Sequence, residues 1–286
     1  MNRLVSKAWL LFLCSSLLML SVDSLAKDKY PQRIIALAPH IVESLYEIGA
    51  GERIVATVDF ADYPEQALNI PRIGGYHGLQ MEKILELEPD LIIVWKTGNR
   101  LEDIQQLEKL GLPIAYSETG GLEDVARELL HFGELTGQLT QAKQSAANFT
   151  QALQQTKAKY QDKKQLRGFY ELWPNPMRTV NKNTLISELM HTCGISNVFA
   201  DSVNDYPQVS VENVVVSKPD VIILPDEKSN KPQPKTDWAP WRFIPAVAND
   251  AFISVNADHT HRFSSRLLIG IETICQQADQ IRNRYK

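Results

Sequence analysis

The sequence predicts an α/β protein of two Rossmann-like lobes with parallel sheets, joined by a single long interdomain helix. Three observations carry this prediction. Short apolar runs alternate with amphipathic stretches along nearly the whole chain, the rhythm of parallel β-α units. Midway, the stretch from Gln138 to Arg167 contains no Gly or Pro and places Leu139, Ala142, Ala146, Phe149, Leu153, Thr156 and Tyr160 at alternating steps of three and four, one apolar face of a long helix. The segments flanking that helix also match each other. Tyr76, Glu82, Pro89, Asp90 and the run Leu91 to Val94 recur as Tyr206, Glu212, Pro219, Asp220 and Val221 to Leu224, each pair 130 positions apart.

These signals divide the chain into a signal peptide (1–26), an N-terminal lobe (27–137), a linker helix (138–165) and a C-terminal lobe (166–286). Arg3 and Lys7 precede the apolar run Ala8 to Leu20, too short to span a bilayer comfortably, and Ser24-Leu25-Ala26 forms a small-x-small cleavage site. The mature chain then starts near Lys27 in an oxidising compartment, and Cys193 and Cys275 are expected to bond there, two buried free thiols being the alternative. The formal charge of −4 gives no electrostatic reason to bind nucleic acid.

In the first lobe, Arg33 to Ala38 reads as a strand, with Pro39 and His40 turning the chain into a helix from Ile41 to Ile48 closed by Gly49. Ile54 to Val58 is a second strand, running into the loop Asp59 to Pro64, and Ile73 to Gly78 is another loop. Met81 to Glu88 is a short helix before the strand Leu91 to Trp95. A helix to Leu110, a strand at Ile114 to Tyr116 and a helix from Leu122 to Leu135 follow. A linker helix from Gln138 to Lys163 would span roughly 39 Å at about 1.5 Å per residue. Beyond it come a strand at Gly168 to Leu172, a loop to Asn183, a helix from Leu185 to Thr192 and a short strand at Asn197 to Phe199. Val211 to Ser217 and Val221 to Leu224 repeat the earlier helix and strand. Pro225 to Pro240 reads as a long irregular loop, Ala251 to Val255 as the last strand, Asp258 to Ser265 as a polar loop and Arg266 to Arg284 as a terminal helix.

Ligands of open α/β sheets bind at the carboxyl ends of the strands. Here those ends carry Phe60, Tyr63, Tyr76, Trp95, Trp173, Tyr206, Asp258 and His259. So aromatic a cleft suits a large, flat ligand held without being transformed. The sequence holds no Gly-x-Ser-x-Gly elbow, phosphate-binding Gly-rich loop, His-Glu-x-x-His or dinucleotide fingerprint, so no catalytic residue is assigned. The nearest approach to a metal site is the run Asp258, His259, Thr260, His261, with His40 and His77 elsewhere. No metal site is assigned, although an exported metal-dependent hydrolase using His259 and His261 and a haem carrier with a His or Tyr ligand stay open as alternatives.

The chain from Arg33 to the terminal helix resembles the periplasmic solute-binding proteins of ABC importers for cobalamin and iron complexes. The stretches that carry the resemblance are Asp62-Tyr63-Pro64 with Gln66-Ala67, Leu87 to Trp95, Asn197 to Phe199 with Tyr206 to Ser210, and Asp258 to Arg266. It implies a periplasmic carrier, monomeric when free, with no cofactor. Its transported ligand would be cobalamin, or alternatively haem or an iron siderophore, and its partner an inner-membrane permease dimer. It places ligand contacts on Phe60, Tyr76, Trp95, Tyr206, Asp258, His259, Thr260, His261 and Arg262, docking carboxylates on Glu82 and Glu212, and a disulfide at Cys193 and Cys275. The chain departs from the family's aromatic pattern at Phe60, Tyr76, Tyr206 and His259.

Overall fold

A computed structural model describes residues 29–226 and 236–285. The signal-peptide segment and residues 227–235 of the expected Pro225 to Pro240 loop lie outside the described residues. In chain order the first half comprises β1 (Ile34–Ala36), α1 (Pro39–Glu47), β2 (Ile54–Thr57), β3 (Gly74–Gly75), β4 (Gly78–Leu79), α2 (Met81–Glu86), β5 (Leu91–Trp95), α3 (Leu101–Lys109), β6 (Ile114–Ser117) and α4 (Asp124–Thr136). After α5 (Leu139–Tyr160) come β7 (Leu166–Tyr170), β8 (Trp173–Pro174), β9 (Met177–Arg178), α6 (Leu185–Thr192), β10 (Ile195–Asn197) and α7 (Val211–Ser217). The chain closes with β11 (Val221–Asp226), α8 (Pro245–Ala248), β12 (Phe252–Asn256), α9 (Asp258–His261) and α10 (Leu267–Arg284). No helix among the described residues is long and apolar enough to cross a membrane.

Two four-stranded sheets form, ordered β2-β1-β5-β6 and β10-β7-β11-β12, with every pairing parallel. Both faces of such a sheet are covered, so its strands are apolar throughout rather than alternating. Period-two geometry divides them between two cores: Ile34, Ala36, Leu91 and Ile93 join one, while Ile35, Ile92 and Val94 join the other. The first of these cores is continuous from lobe to lobe. It runs through Phe132 of α4 and Ala142, Ala146, Phe149 and Leu153 of α5 into Leu189, Met190, Ile271 and Ile274. The linker helix is therefore a wall shared by both lobes.

The 130-residue repeat is structural. Glu88 and Lys218, equivalent positions between helix and strand, both adopt left-handed backbone, with φ of 42° and 45°. The next matched residues, Asp90 and Asp220, accept hydrogen bonds from the backbone N–H groups of Arg33, just before β1, and Arg167, in β7.

Most boundaries shift by one or two residues from the sequence reading, the expected loops at Ile73 to Gly78 and Pro174 to Asn183 hold strands of two short antiparallel hairpins, β3–β4 and β8–β9, and four further differences have a clear cause. The linker helix stops at Tyr160 without a helix breaker, giving a length near 33 Å at about 1.5 Å per residue. What ends it is tertiary: Leu166 must reach the sheet, where its N–H donates to the Gly194 carbonyl, and Arg167 is fixed by Asp220. The short strand lies at Ile195–Asn197, because the Asn197 side chain accepts from the N–H of Phe199 and turns the chain there. Pro225 belongs to β11, at a position where β7 has already ended and only β12 is paired. The expected polar loop after Asp258 contains the helical turn α9, and Thr260 and Ser264 are buried within it.

Candidate functional site

The N-lobe wall is built where β2, the β3–β4 hairpin and β5 end. Phe60 follows β2 at φ 64°, unusual for a residue with a Cβ, and its ring is 69% exposed. Tyr76 sits in the hairpin turn, 73% exposed, its ring against His77. Trp95 closes β5. Its indole N–H donates to Thr119 at 3.0 Å and its backbone N–H to Asn99 Oδ1 at 2.8 Å, and Asn99 in turn donates to the Leu37 carbonyl. A Cβ at Gly98 would fall 1.8 Å from the indole, so Gly is required there for the ring to lie down. Phe60, Tyr76 and Trp95 line one cavity of about 220 Å³, with Asp59, Asn99, Arg100 and Asp103 around it.

The C-lobe wall rests on the β8–β9 hairpin. Met177 is buried, and the hairpin is stitched to the next segment by Val209 N–H to the Met177 carbonyl and Thr179 N–H to the Pro207 carbonyl. Alternation then turns Arg178 outward, directly across from Trp173. A guanidinium N–H of Arg178 donates to the carbonyl of Tyr206, whose side chain is 53% exposed. Leu172, Trp173, Pro176, Arg178 and His261 line an open cavity of about 470 Å³.

Between the walls lies the segment 258–266, and most of its polar side chains are committed to the fold. Thr260 is fully buried and hydrogen-bonded to Tyr170, so it presents no surface to a ligand. Arg262 bridges the lobes, at 2.9 Å to Glu43, 2.7 Å to Asp62 and 2.6 Å to Asp258. Glu43 is buried on α1 and also takes Arg266 at 2.9 Å and the Ser264 hydroxyl. His259 Nε2 lies 2.9 Å from Arg266, and His261 Nε2 lies 3.0 Å from the Tyr170 hydroxyl. The two histidines are thus engaged with different partners, and no cluster of three His, Cys, Asp or Glu able to hold a metal occurs among the described residues.

Behind Trp95, His40 meets the indole edge-on at 5.2 Å, and Phe263 of the other lobe meets it at 6.3 Å. Trp95 is thereby packed from both lobes. His40 is buried against Ser117, and burial, aided by the Arg262 charge, holds its pKa down to about 3. The same two causes hold His261 down to about 4. Both imidazoles are neutral at physiological pH, which suits a cleft floor already carrying Arg262 and Arg266.

Away from the cleft, Glu82 and Glu212 are exposed in the first turns of α2 and α7. The Ser210 hydrogen bond holds the Glu212 carboxyl below the usual range. Cys193 and Cys275 form a disulfide tying the end of α6 to α10. Sequence reasoning missed Glu43 and Arg178. The only local signals were a carboxylate beside Ile41, Val42 and Leu45 for the first and an Arg between Met177 and Thr179 for the second.

A family model described as periplasmic binding protein matches residues 34–258. The chain is 34% identical over 273 residues to the vitamin B12-binding protein of Vibrio campbellii (strain ATCC BAA-1116), covering 95% of this chain and 98% of that one. Its fold is similar to the crystal structure of the periplasmic vitamin B12 binding protein BtuF of Vibrio cholerae, with TM-score 0.81 and 34% identity, covering 88% of this chain and 98% of the other. The apo periplasmic heme-binding protein RhuT from Roseiflexus sp. RS-1 shares the fold at 18% identity and TM-score 0.74, with coverage of 89% and 99%.

Proposed function

The chain belongs to the periplasmic binding protein family, and from that premise we propose that it carries cobalamin (vitamin B12) between its lobes in the periplasm and delivers it to an inner-membrane ABC importer, without transforming it. The observation that carries this reading is the cleft itself. Phe60, Tyr76 and Trp95 share one wall, Trp173 and Tyr206 belong to the facing lobe, and the histidines between are spent on hydrogen bonds. Flat apolar walls of this kind hold a macrocycle by its faces and edges. The identity of the curated relatives supports the choice of cobalamin over haem, whereas the haem carriers agree in fold alone.

In this reading Phe60, Tyr76, Trp95 and Tyr206 touch the ligand, with His259, His261 and Asp258 at its margin. Thr260 and Arg262 act behind them by fixing the segment. Glu82 and Glu212, one on each lobe, meet the two halves of a permease dimer, and the free carrier works as a monomer. The test is to incubate the purified mature protein with cobalamin, remove free ligand and record the visible spectrum, with haem in parallel. We expect retained corrinoid absorption, quenched tryptophan fluorescence, and a loss of about 1–3 kcal/mol of binding energy in Trp95→Ala. Cobalamin that washes through while haem is retained would overturn the ligand assignment.

A further inference from the structure

The two halves of the cleft differ in charge. The N-lobe cavity sets Asp59 and Asp103 against Arg100, whose guanidinium also donates to the His77 carbonyl, so its formal balance is acidic. The C-lobe cavity holds Arg178, Trp173 and His261 and no carboxylate, and burial keeps His261 neutral. Among the described residues the one hydrogen bond of the Arg178 side chain is to a backbone carbonyl, that of Tyr206, and no acidic side chain pairs with it. A guanidinium held by one N–H and facing a cavity keeps its other donors for an anion, and its fork geometry matches a phosphate.

The hairpin holds this arrangement in place. Trp173 and Arg178 are direct cross-strand partners, Met177 anchors the turn in the core, and Arg178 is bridged through its backbone to Gln208. The two cavities belong to one cleft, because His261 lines the C-lobe cavity while Phe263, two residues on, packs against Trp95 of the N-lobe cavity. Resting on the cobalamin reading, we propose that Arg178 is a specificity-determining residue that grips the phosphodiester of the nucleotide loop, with Trp173 beside it, so that the ligand lies with its phosphate end on the C-lobe. Cobalamin carries that phosphate and cobinamide lacks it. An anionic contact on the acidic N-lobe side would be repelled by Asp59 and Asp103, so the charge asymmetry sets one orientation of the ligand.

The experiment measures Kd for cobalamin and for cobinamide with the parent, Arg178→Gln and Arg178→Lys. The parent should prefer cobalamin. Arg178→Gln should weaken cobalamin about tenfold or more while leaving cobinamide within about twofold, and Arg178→Lys, which keeps the charge without the fork, should fall between. The cobalamin loss should also shrink as salt rises, since the contact is ionic. An equal loss for both corrinoids, or no loss for either, overturns the phosphate grip while leaving the cobalamin reading intact. A parent that binds neither corrinoid refutes that reading, and the inference falls with it.

Discussion

His40 shows how a single residue ties the cleft to the stability of the fold. It is neutral when folded, with its pKa near 3, but ordinary, near 6.5, when unfolded. Its stabilising contribution is therefore complete above pH 6.5 and is lost as pH falls toward 3, because only the unfolded chain takes up the proton. The slope is on the order of 1 kcal/mol per pH unit. His40→Gln should be less stable than the parent at pH 7.5, having lost the ring packed on Trp95 and Phe263. That gap should narrow as pH drops from 6.5 to 4.5, followed by urea denaturation. A gap that stays constant with pH would show that the imidazole titrates alike in both states. Trp95 was legible in the sequence because it ends an apolar strand run, where ligands of this fold class are met. Glu43 and Arg178 were not, since a buried carboxylate is explained by partners more than 200 positions away, at Arg262 and Ser264, and an outward-facing arginine by a hairpin only two residues wide.

Elements were readable wherever local chemistry decides them. Leu91–Trp95, Leu185–Thr192 and Val211–Ser217 have the bounds expected, each fixed by Pro-Asp, a cap residue or a Gly. Thr184 and Ser210 are real N-caps, accepting from Ser187 and Asn213. Where the boundary answers to the sheet, as at Tyr160 and Asn197, no local signal announces it. The disulfide joining α6 to α10 is the strongest covalent constraint among these elements, closing a separation of 82 residues. Removing it frees the unfolded chain more than it alters the fold. Cys193→Ser with Cys275→Ser should lower the unfolding free energy by about 4 kcal/mol in the chain-entropy picture. In urea this appears as an earlier midpoint with a steeper slope, since the unfolded ensemble expands. An unchanged midpoint would mean that packing of Arg282 onto the Cys193 and Gly194 carbonyls suffices to hold the two helices.

At the scale of the molecule, the lobes are held together by more than the linker helix. Their core is continuous through α4 and α5, Arg262 ties Glu43 and Asp62 to Asp258, and Glu188 of α6 accepts from the Leu122 N–H while pairing with Lys157 of the linker. Breaking such contacts to open a hinge would strand buried charge, which costs several kcal/mol. These contacts lead us to expect a nearly rigid carrier, in which the spacing between α2 and α7 is fixed. These helices are related by the internal repeat, and each presents an exposed carboxylate in its first turn. A helix N-terminus favours a carboxylate whether or not it has a partner, so either residue alone says little. Held at constant separation on quasi-symmetric lobes, the two are placed as the proposed docking onto a two-fold symmetric permease dimer requires, and contacts of this type chiefly govern register and association rate. The double variant Glu82→Ala, Glu212→Ala should therefore keep its cobalamin affinity and its thermal midpoint, yet lose most uptake when added to proteoliposomes containing the importer. Each single variant should lose less, and the parent's uptake should decline as salt is raised, because exposed ion pairs are screened. Undiminished uptake by the double variant, or a parallel loss of cobalamin binding, would place the docking surface elsewhere.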